Sequence, residues 1–227
     1  MELSFEVASA SGTAPIDVAV RECIVAGWAG RDLAAIEHHI DELAALGVPR
    51  PSAVPLYYRV GADRLTQQDS VEVVGDGSSG EAEVFVFSHR GVAYVSVASD
   101  HTDRKLETHS VALSKQLCPK PVARNAWPYA EVADHWDELV LRSWIDEDRQ
   151  RVLYQEGTLA SLRHPLELVE GHFGRDLIPD GSVMLCGTVA ARGGIRPAPT
   201  FEMELFDPRL RRSIAHRYVV RELPEIS

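Results

Sequence analysis

Alternation of apolar and polar residues recurs along this chain and predicts strands over most of its length. Residues 3–7 alternate, and residues 16–20 nearly do. The Ser-Ala-Ser-Gly-Thr stretch between them marks a hairpin or two neighbouring strands. Residues 23–28 form a third apolar run, closed by Gly30. At Arg31 the period changes: Leu33, Ile36, Ile40 and Leu43 share one helical face. A helix over 31–46 follows, with Gly47 as its stop. Pro49, Pro51 and Pro55 then interrupt the chain. This punctuation predicts a small N-terminal α/β subdomain over 1–48 and a larger unit over 49–227.

Beyond the boundary the pattern is mostly β. Strands are expected at 55–60, 70–74, 83–87, 92–98, 139–145, 182–186, 200–206 and 214–220. His-Arg-Gly between the third and fourth reads as a turn. A short helix is expected within 108–117. Another is expected over 157–169, where Leu159, Leu162, Leu166 and Val169 share a face around Pro165. Strands without regular helical crossovers indicate an α+β, mainly β chain rather than a doubly wound α/β sheet.

Charge narrows the partners. The 227 residues carry 23 Lys and Arg against 34 Asp and Glu, a net −11 with His neutral. That balance argues against a nucleic-acid binder, whose affinity comes from cations on phosphates. It leaves room for a small anion held by a local pair of cations. Cys23, Cys118 and Cys186 are scattered, odd in number and free of CxxC, which suits a reduced, cytoplasmic protein. The first residues do not read as a signal peptide. No apolar stretch approaches the roughly 20 residues of a membrane span.

The chemistry concentrates in one region. Glu81 and Glu83 stand at i and i+2 in a strand, hence on one face and about 6.6–6.8 Å apart along the chain. Two carboxylates so placed can converge on a hard cation such as Mg²⁺, Mn²⁺ or Ca²⁺. An exposed strand start is the alternative. The next strand runs into Asp100-His101-Thr102-Asp103-Arg104. Asp100 is placed to be a third ligand, or else a turn or helix cap. Arg104 and Lys115 follow, two cations suited to an anionic substrate. His101 adjoins Asp100 and is the first candidate base, or a hydrogen-bonding support for Asp100. Glu37, His38 and His39 read as a solvated helix face. Glu202 and Glu204 form a rival E-x-E on the polar face of a strand. Arg196 lies in a Gly-Gly loop that can cover a cleft. Trp127, Trp136 and Trp144 suit a core or interface, and Cys118 and Cys186 suit small buried hydrophobes.

Four segments together carry a resemblance. Gly-Glu81-Ala-Glu83-Val, Val-Ala-Ser-Asp100-His-Thr-Asp-Arg104, Ala-Leu-Ser-Lys115-Gln and Asp180-Gly-Ser-Val-Met-Leu-Cys-Gly187-Thr188 stand in the order and spacing of the fumarylacetoacetate hydrolase family. The chain as a whole is similar to a bacterial branch of it described only as a domain of unknown function. The resemblance covers roughly residues 50–206. It implies a rolled, mixed β-sandwich of the type of that family's C-terminal domain, usually a homodimer. It implies Mg²⁺ or a similar ion on Glu81, Glu83 and Asp100. Arg104 and Lys115 match substrate- and oxyanion-contacting cations, and Gly187 and Thr188 match the step that touches the substrate's acid head.

Members of that family cleave, decarboxylate, hydrate or isomerise 2-oxo and 2,4-dioxo acids. The expected activity is hydrolytic C–C cleavage through a metal-stabilised enolate. Decarboxylation, keto–enol isomerisation and non-catalytic binding of a small acid are the alternatives. Three departures from the family pattern bear on that choice. No His lies among the 22 residues between Tyr58 and Glu81, where hydrolytic relatives carry a lid base. Lys105 replaces a second Asp, and Val189 replaces the Pro of Gly-Thr-Pro.

Overall fold

The computed structural model describes residues 1–45 and 50–226. The chain opens with the hairpin β1 (Glu2–Ser9) and β2 (Gly12–Ala19), followed by β3 (Glu22–Gly27). Helix α1 (Leu33–Ala45) starts where Asp32 Oδ1 accepts the N–H groups of Ala34 and Ala35, both at 3.0 Å. This cap satisfies two donors that a helix start leaves without partners. The expected stop at Gly47 lies outside the described residues.

The strands β4 (Leu56–Val60), β5 (Leu65–Thr66), β6 (Ser70–Val74) and β7 (Ser78–Ser79) lead to a central hairpin. That hairpin is β8 (Ala82–His89) and β9 (Val92–Ser99). After it come β10 (Thr102–Asp103), α2 (Arg104–Glu107), α3 (Val111–Leu117), β11 (Lys120–Pro121) and β12 (Asn125–Pro128). The last part holds β13 (Val140–Glu147), β14 (Gln150–Thr158), α4 (Pro165–Phe173), β15 (Ser182–Thr188), β16 (Thr200–Asp207) and β17 (Arg212–Leu223).

Two mixed sheets carry the fold. An eight-stranded sheet has the order β2-β1-β12-β9-β8-β15-β3-β4, and a five-stranded sheet the order β14-β13-β16-β17-β6. Side chains alternate across β8: Val84 and Val86 join the core that includes Phe201, Met203 and Leu205 of the second sheet. Phe85 and Phe87 point the other way, into a core built with Leu3, Phe5, Val25 and Leu185 of their own sheet. The rings of Phe5 and Phe87 stack with centroids 4.3 Å apart. Their strands are three steps apart, about 14 Å in a flat sheet. The sheet is therefore rolled, and its concave face closes on itself. The fold is α+β, mainly β, as the strand pattern and the resemblance both imply.

The N-terminal strands share this large sheet: β1 pairs with β12 and β3 with β15, both in parallel. Residues between Tyr58 and Glu81 are likewise built in, since β6 pairs with β17 and β7 with β10. The expected helix over 157–169 is corrected. Residues up to Thr158 belong to β14, and α4 begins at Pro165, with His164 as N-cap and Gly174 as its left-handed stop. Proline fits the first helical turn, where its missing N–H has no partner to lose. Strand β14 escaped the sequence reading for two reasons. Its β13 hairpin turns on Asp148-Arg149, both at positive φ, rather than on the usual Asn-Gly pair. Its early positions, Gln150 and Arg151, are also polar and exposed.

The β8–β9 turn is Arg90-Gly91, both left-handed at φ 53° and 74°. Such a two-residue turn fixes register, here pairing His89 with Val92 and Ala82 with Ser99. A Cβ on Gly91 meets nothing within 4 Å, so a substitution there tests the backbone alone. Gly91→Val should lower the unfolding free energy by about 1–2 kcal/mol in urea denaturation. An unchanged midpoint and slope would contradict the proposed importance of the turn.

Candidate metal and anion site

The register of the central hairpin builds the site. Continued by one residue, it sets Glu81 opposite Asp100, and the Asp100 N–H donates to the Glu81 carbonyl at 2.9 Å. Opposed residues of an antiparallel pair share a face. Glu83 shares it too, two residues along β8. One carboxylate oxygen from each of Glu81, Glu83 and Asp100 comes within 4.8 Å of the others. The cluster sits at the end of the rolled face, where apolar residues give way to acid.

Cations and amides hold these acids. Lys115 Nζ donates to Asp100 Oδ2 from α3, and Lys120 Nζ lies 3.2 Å from Asp100 Oδ1. Arg104 Nη2 lies 3.1 Å from Glu81 Oε1. The same guanidinium donates to Ser79 Oγ at 2.7 Å and Glu107 Oε2 at 2.9 Å. Glu83 Oε2 accepts the Gly187 N–H at 2.8 Å. Gly187 is required there: its φ is 91°, and a Cβ would stand 2.8 Å from that of Ala29.

Burial and repulsion then shape the charges. Burial pushes the Glu83 carboxyl well above its usual value, and the charge of Asp100 adds to the rise. Burial also raises Glu81, partly offset by Arg104 and Lys115. For Asp100 burial acts the same way, but Lys115 and Lys120 outweigh it and hold the carboxyl low. Lys115 is buried, yet Asp100, Glu81 and Glu83 raise it above its ordinary value, so it stays an ammonium. Lys120, fully buried, is lowered by desolvation. Three hard oxygen donors that repel one another in a dry setting fit a divalent cation of the Mg²⁺ or Ca²⁺ type. A cavity of about 420 Å³ opens over them. Its walls include Glu81, Glu83, Arg104, Glu107, Lys115, Gly187 and Thr188.

Residues 26–218 match the family model described as "Protein of unknown function (DUF2848)". The chain belongs to the DUF2848 family. No curated protein matches it in sequence. Solved structures do match in fold. A 2-keto-3-deoxy-D-arabinonate dehydratase complexed with magnesium and 2,5-dioxopentanoate has a TM-score of 0.64 at 14% identity, over 91% of this chain and 75% of its own. Cg1458 with inhibitor has a TM-score of 0.66 at 12% identity, over 94% and 81%. The 4-oxalocrotonate decarboxylase from Pseudomonas putida G7, complexed with calcium and acetate, has 0.53 at 16%, over 91% and 78%. At such identities the likeness establishes the fold.

In this DUF2848 chain Glu81, Glu83, Arg104, Lys115, Gly187 and Thr188 line one cavity, and Asp100, fully buried, joins the cluster behind them. The Thr188 hydroxyl is engaged there: it donates to the Ala82 carbonyl at 2.8 Å and accepts from Gln155 Nε2 at 2.7 Å. The structure does not bring His101 to the cavity, which corrects its candidacy as base. Successive residues at a strand end point to opposite sides. The His101 ring turns inward, with Nδ1 2.9 Å from the Tyr218 hydroxyl and Nε2 2.9 Å from Ser78 Oγ.

The remaining candidates lie away from the cluster. Asp103, rather than Asp100, caps a helix, accepting the Leu106 N–H at 2.8 Å. Glu37 pairs with Arg50 at 2.8 Å, His38 is exposed, and the His39 side chain lies outside the described residues. Glu202 and Glu204 pair with Arg151 and Arg142 on a half-exposed face. Arg196 turns to Glu147, while its neighbour Ile195 reaches the cavity. Trp127 and Trp136 are core, and Trp144 lies under Arg151, 3.8 Å from its ring centre. Burial pushes Cys118 up to about 11 and Cys186 well above its usual value, so both are poor nucleophiles.

Two residues were missed in the sequence. Lys120 sits between Pro119 and Pro121 and reads as a linker cation. Gln155 lies in the unrecognised β14 and binds the Ala82 N–H at 3.0 Å, Thr188 and the Val189 carbonyl at 2.6 Å. For Gln155 no sequence signal was present.

Burial, with Lys120 and Arg104 nearby, lowers His101 from 6.5 to about 3. Between those values the unfolded chain binds a proton that the folded one does not. This contribution to stability is complete above about pH 6.5 and is lost as pH falls toward 3. His101→Gln removes that titration. The stability difference between wild type and variant, measured by urea denaturation, should narrow between pH 7 and 4. A constant difference would show that His101 is charged in the fold.

Proposed function

We propose that this chain is a divalent-metal-dependent enzyme acting on a small 2-oxo or 2,4-dioxo acid, related in chemistry to the fumarylacetoacetate hydrolase family. The carrying observation is the convergence of Glu81, Glu83 and the fully buried Asp100, with Glu81, Glu83, Arg104 and Lys115 lining one cavity. The fold neighbours support it, since one is titled as a complex with magnesium and an oxo acid and another with calcium and acetate. A cation held by the three carboxylates supplies Lewis-acid stabilisation of negative charge on a chelated oxo acid. Arg104 attracts the acid head with its guanidinium charge and N–H donors, and the Lys115 ammonium stabilises charge developing on the oxo oxygen. The reading includes the homodimer that the resemblance implies.

The favoured reaction is decarboxylation or keto–enol isomerisation, neither of which activates water. Among the described residues no His lines the cavity, and both His101 nitrogens are occupied. Hydrolytic C–C cleavage is the second reading. It is favoured by Glu107, a carboxylate on the cavity wall able to take a proton from water.

Calorimetric titration with Mg²⁺ or Mn²⁺ should give one site, lost in the Glu81→Ala, Asp100→Ala double variant. Metal binding that persists in that variant would refute the assignment. With metal bound, a panel of oxo acids followed by NMR separates the reactions. Carbon dioxide release or deuterium uptake at C3 supports the first reading, and two acids from C–C hydrolysis the second. Binding of oxalate without any turnover would make the chain a metal-dependent small-acid binder instead.

A further inference from the structure

The cavity wall is mixed. Beside its charged groups it carries Val25, Ala26, Trp28, Tyr58, Val111 and Ile195, and the Lys115 ammonium stands 5.6 Å from the Tyr58 ring centre. Arg104 and Lys115 are the cations on the described wall, and both face the carboxylate cluster. Among the described residues no other cation lines the cavity to receive a second acid group.

Charge leads to the same restriction. With all four carboxyls ionised, as they would be around a cation, Glu81, Glu83, Asp100 and Glu107 are opposed by Arg104, Lys115 and Lys120, leaving one negative charge among these groups. A divalent cation turns that into one positive charge, which a single carboxylate cancels. A dicarboxylate would leave a net negative charge in a largely buried site, which is costly.

The backbone adds a third observation. Trp28 holds φ at 59°, a left-handed conformation that is a marked outlier for a bulky side chain. Its indole neighbours the Tyr58 hydroxyl. On the facing strand Gly27 admits the Tyr58 ring, which would stand 2.8 Å from a Cβ there. Strain of this kind persists where the surroundings impose it, and it clusters at ligand clamps.

We propose that the apolar residues of the cavity wall, with Trp28 and Tyr58 as their clamp, select a monocarboxylic oxo acid bearing a hydrocarbon group, against dicarboxylic and polyhydroxylated ones. The inference rests on the metal-dependent oxo-acid reading and specifies its substrate class. The acid and oxo groups meet the cation, Arg104 and Lys115. The hydrocarbon group displaces water from the wall formed by Val25, Trp28, Tyr58 and Ile195. A three-carbon oxo acid has no hydrocarbon group to cover that wall.

The test is calorimetric binding to the Mg²⁺-loaded protein of three probes: pyruvate, 4-methyl-2-oxopentanoate and 2-oxoglutarate. The last two are of similar length and differ in an apolar against an acidic tail. The branched monoacid should bind at least tenfold more tightly than either of the others. Trp28→Ala should reduce its advantage over pyruvate at least threefold. Ile195→Lys, at an exposed loop position, should improve 2-oxoglutarate relative to the branched acid. If pyruvate binds but 2-oxoglutarate equals or exceeds the branched acid, the substrate class is wrong while the oxo-acid reading stands. Failure of either variant to move the ratios likewise overturns the role given to this wall. If no probe binds the loaded protein, the oxo-acid reading itself fails, and this inference with it.

Discussion

The structure depends on putting three carboxylates where they repel one another and where water cannot screen them. Removing an ion from water costs several kcal/mol even after relaxation. Glu81, Glu83 and Asp100 pay that cost together within 4.8 Å. The surrounding chain is arranged to offset it: Lys115 and Lys120 on Asp100, Arg104 on Glu81, and the Gly187 amide on Glu83. A conflict of this size between stability and placement supports the proposed cation site.

The scaffold serves that placement at long range. A turn of two left-handed residues sets the register of β8 and β9, and the register sets Glu81 against Asp100. Strand β15 is the hydrogen-bonded neighbour of β8, so that Gly187 reaches Glu83. Strand β3, from the N-terminal part of the chain, continues the same sheet and supplies the apolar wall of the cavity. The residues on either side of the expected boundary at 48–50 thus contribute to one cavity.

The sequence disclosed the acids better than their supports. Glu81 and Glu83 were visible because strand geometry puts i and i+2 on one face, and Asp100 because it ends the next apolar strand. Arg104 and Lys115 followed from proximity to Asp100 along the chain. Proximity failed for His101, whose ring takes the opposite side of the strand end and hydrogen-bonds Tyr218 and Ser78. It gave no hint of Lys120, whose ammonium is buried under Asp100 despite a setting between two prolines. Strand β14 was hidden because its exposed, charged residues weaken the alternation, so Gln155 was hidden with it. Periodicity reports which face is apolar; it does not report which polar side chain turns inward.

A crystal structure with Mn²⁺ and oxalate tests the central claim most directly, because the anomalous signal of manganese locates the ion independently of the protein model. One peak bonded to oxygens of Glu81, Glu83 and Asp100 at about 2.0–2.6 Å, with oxalate facing Arg104 and Lys115, is the expected result. Manganese elsewhere, or a lysine-paired cluster that excludes the ion at saturating concentration, would contradict the account.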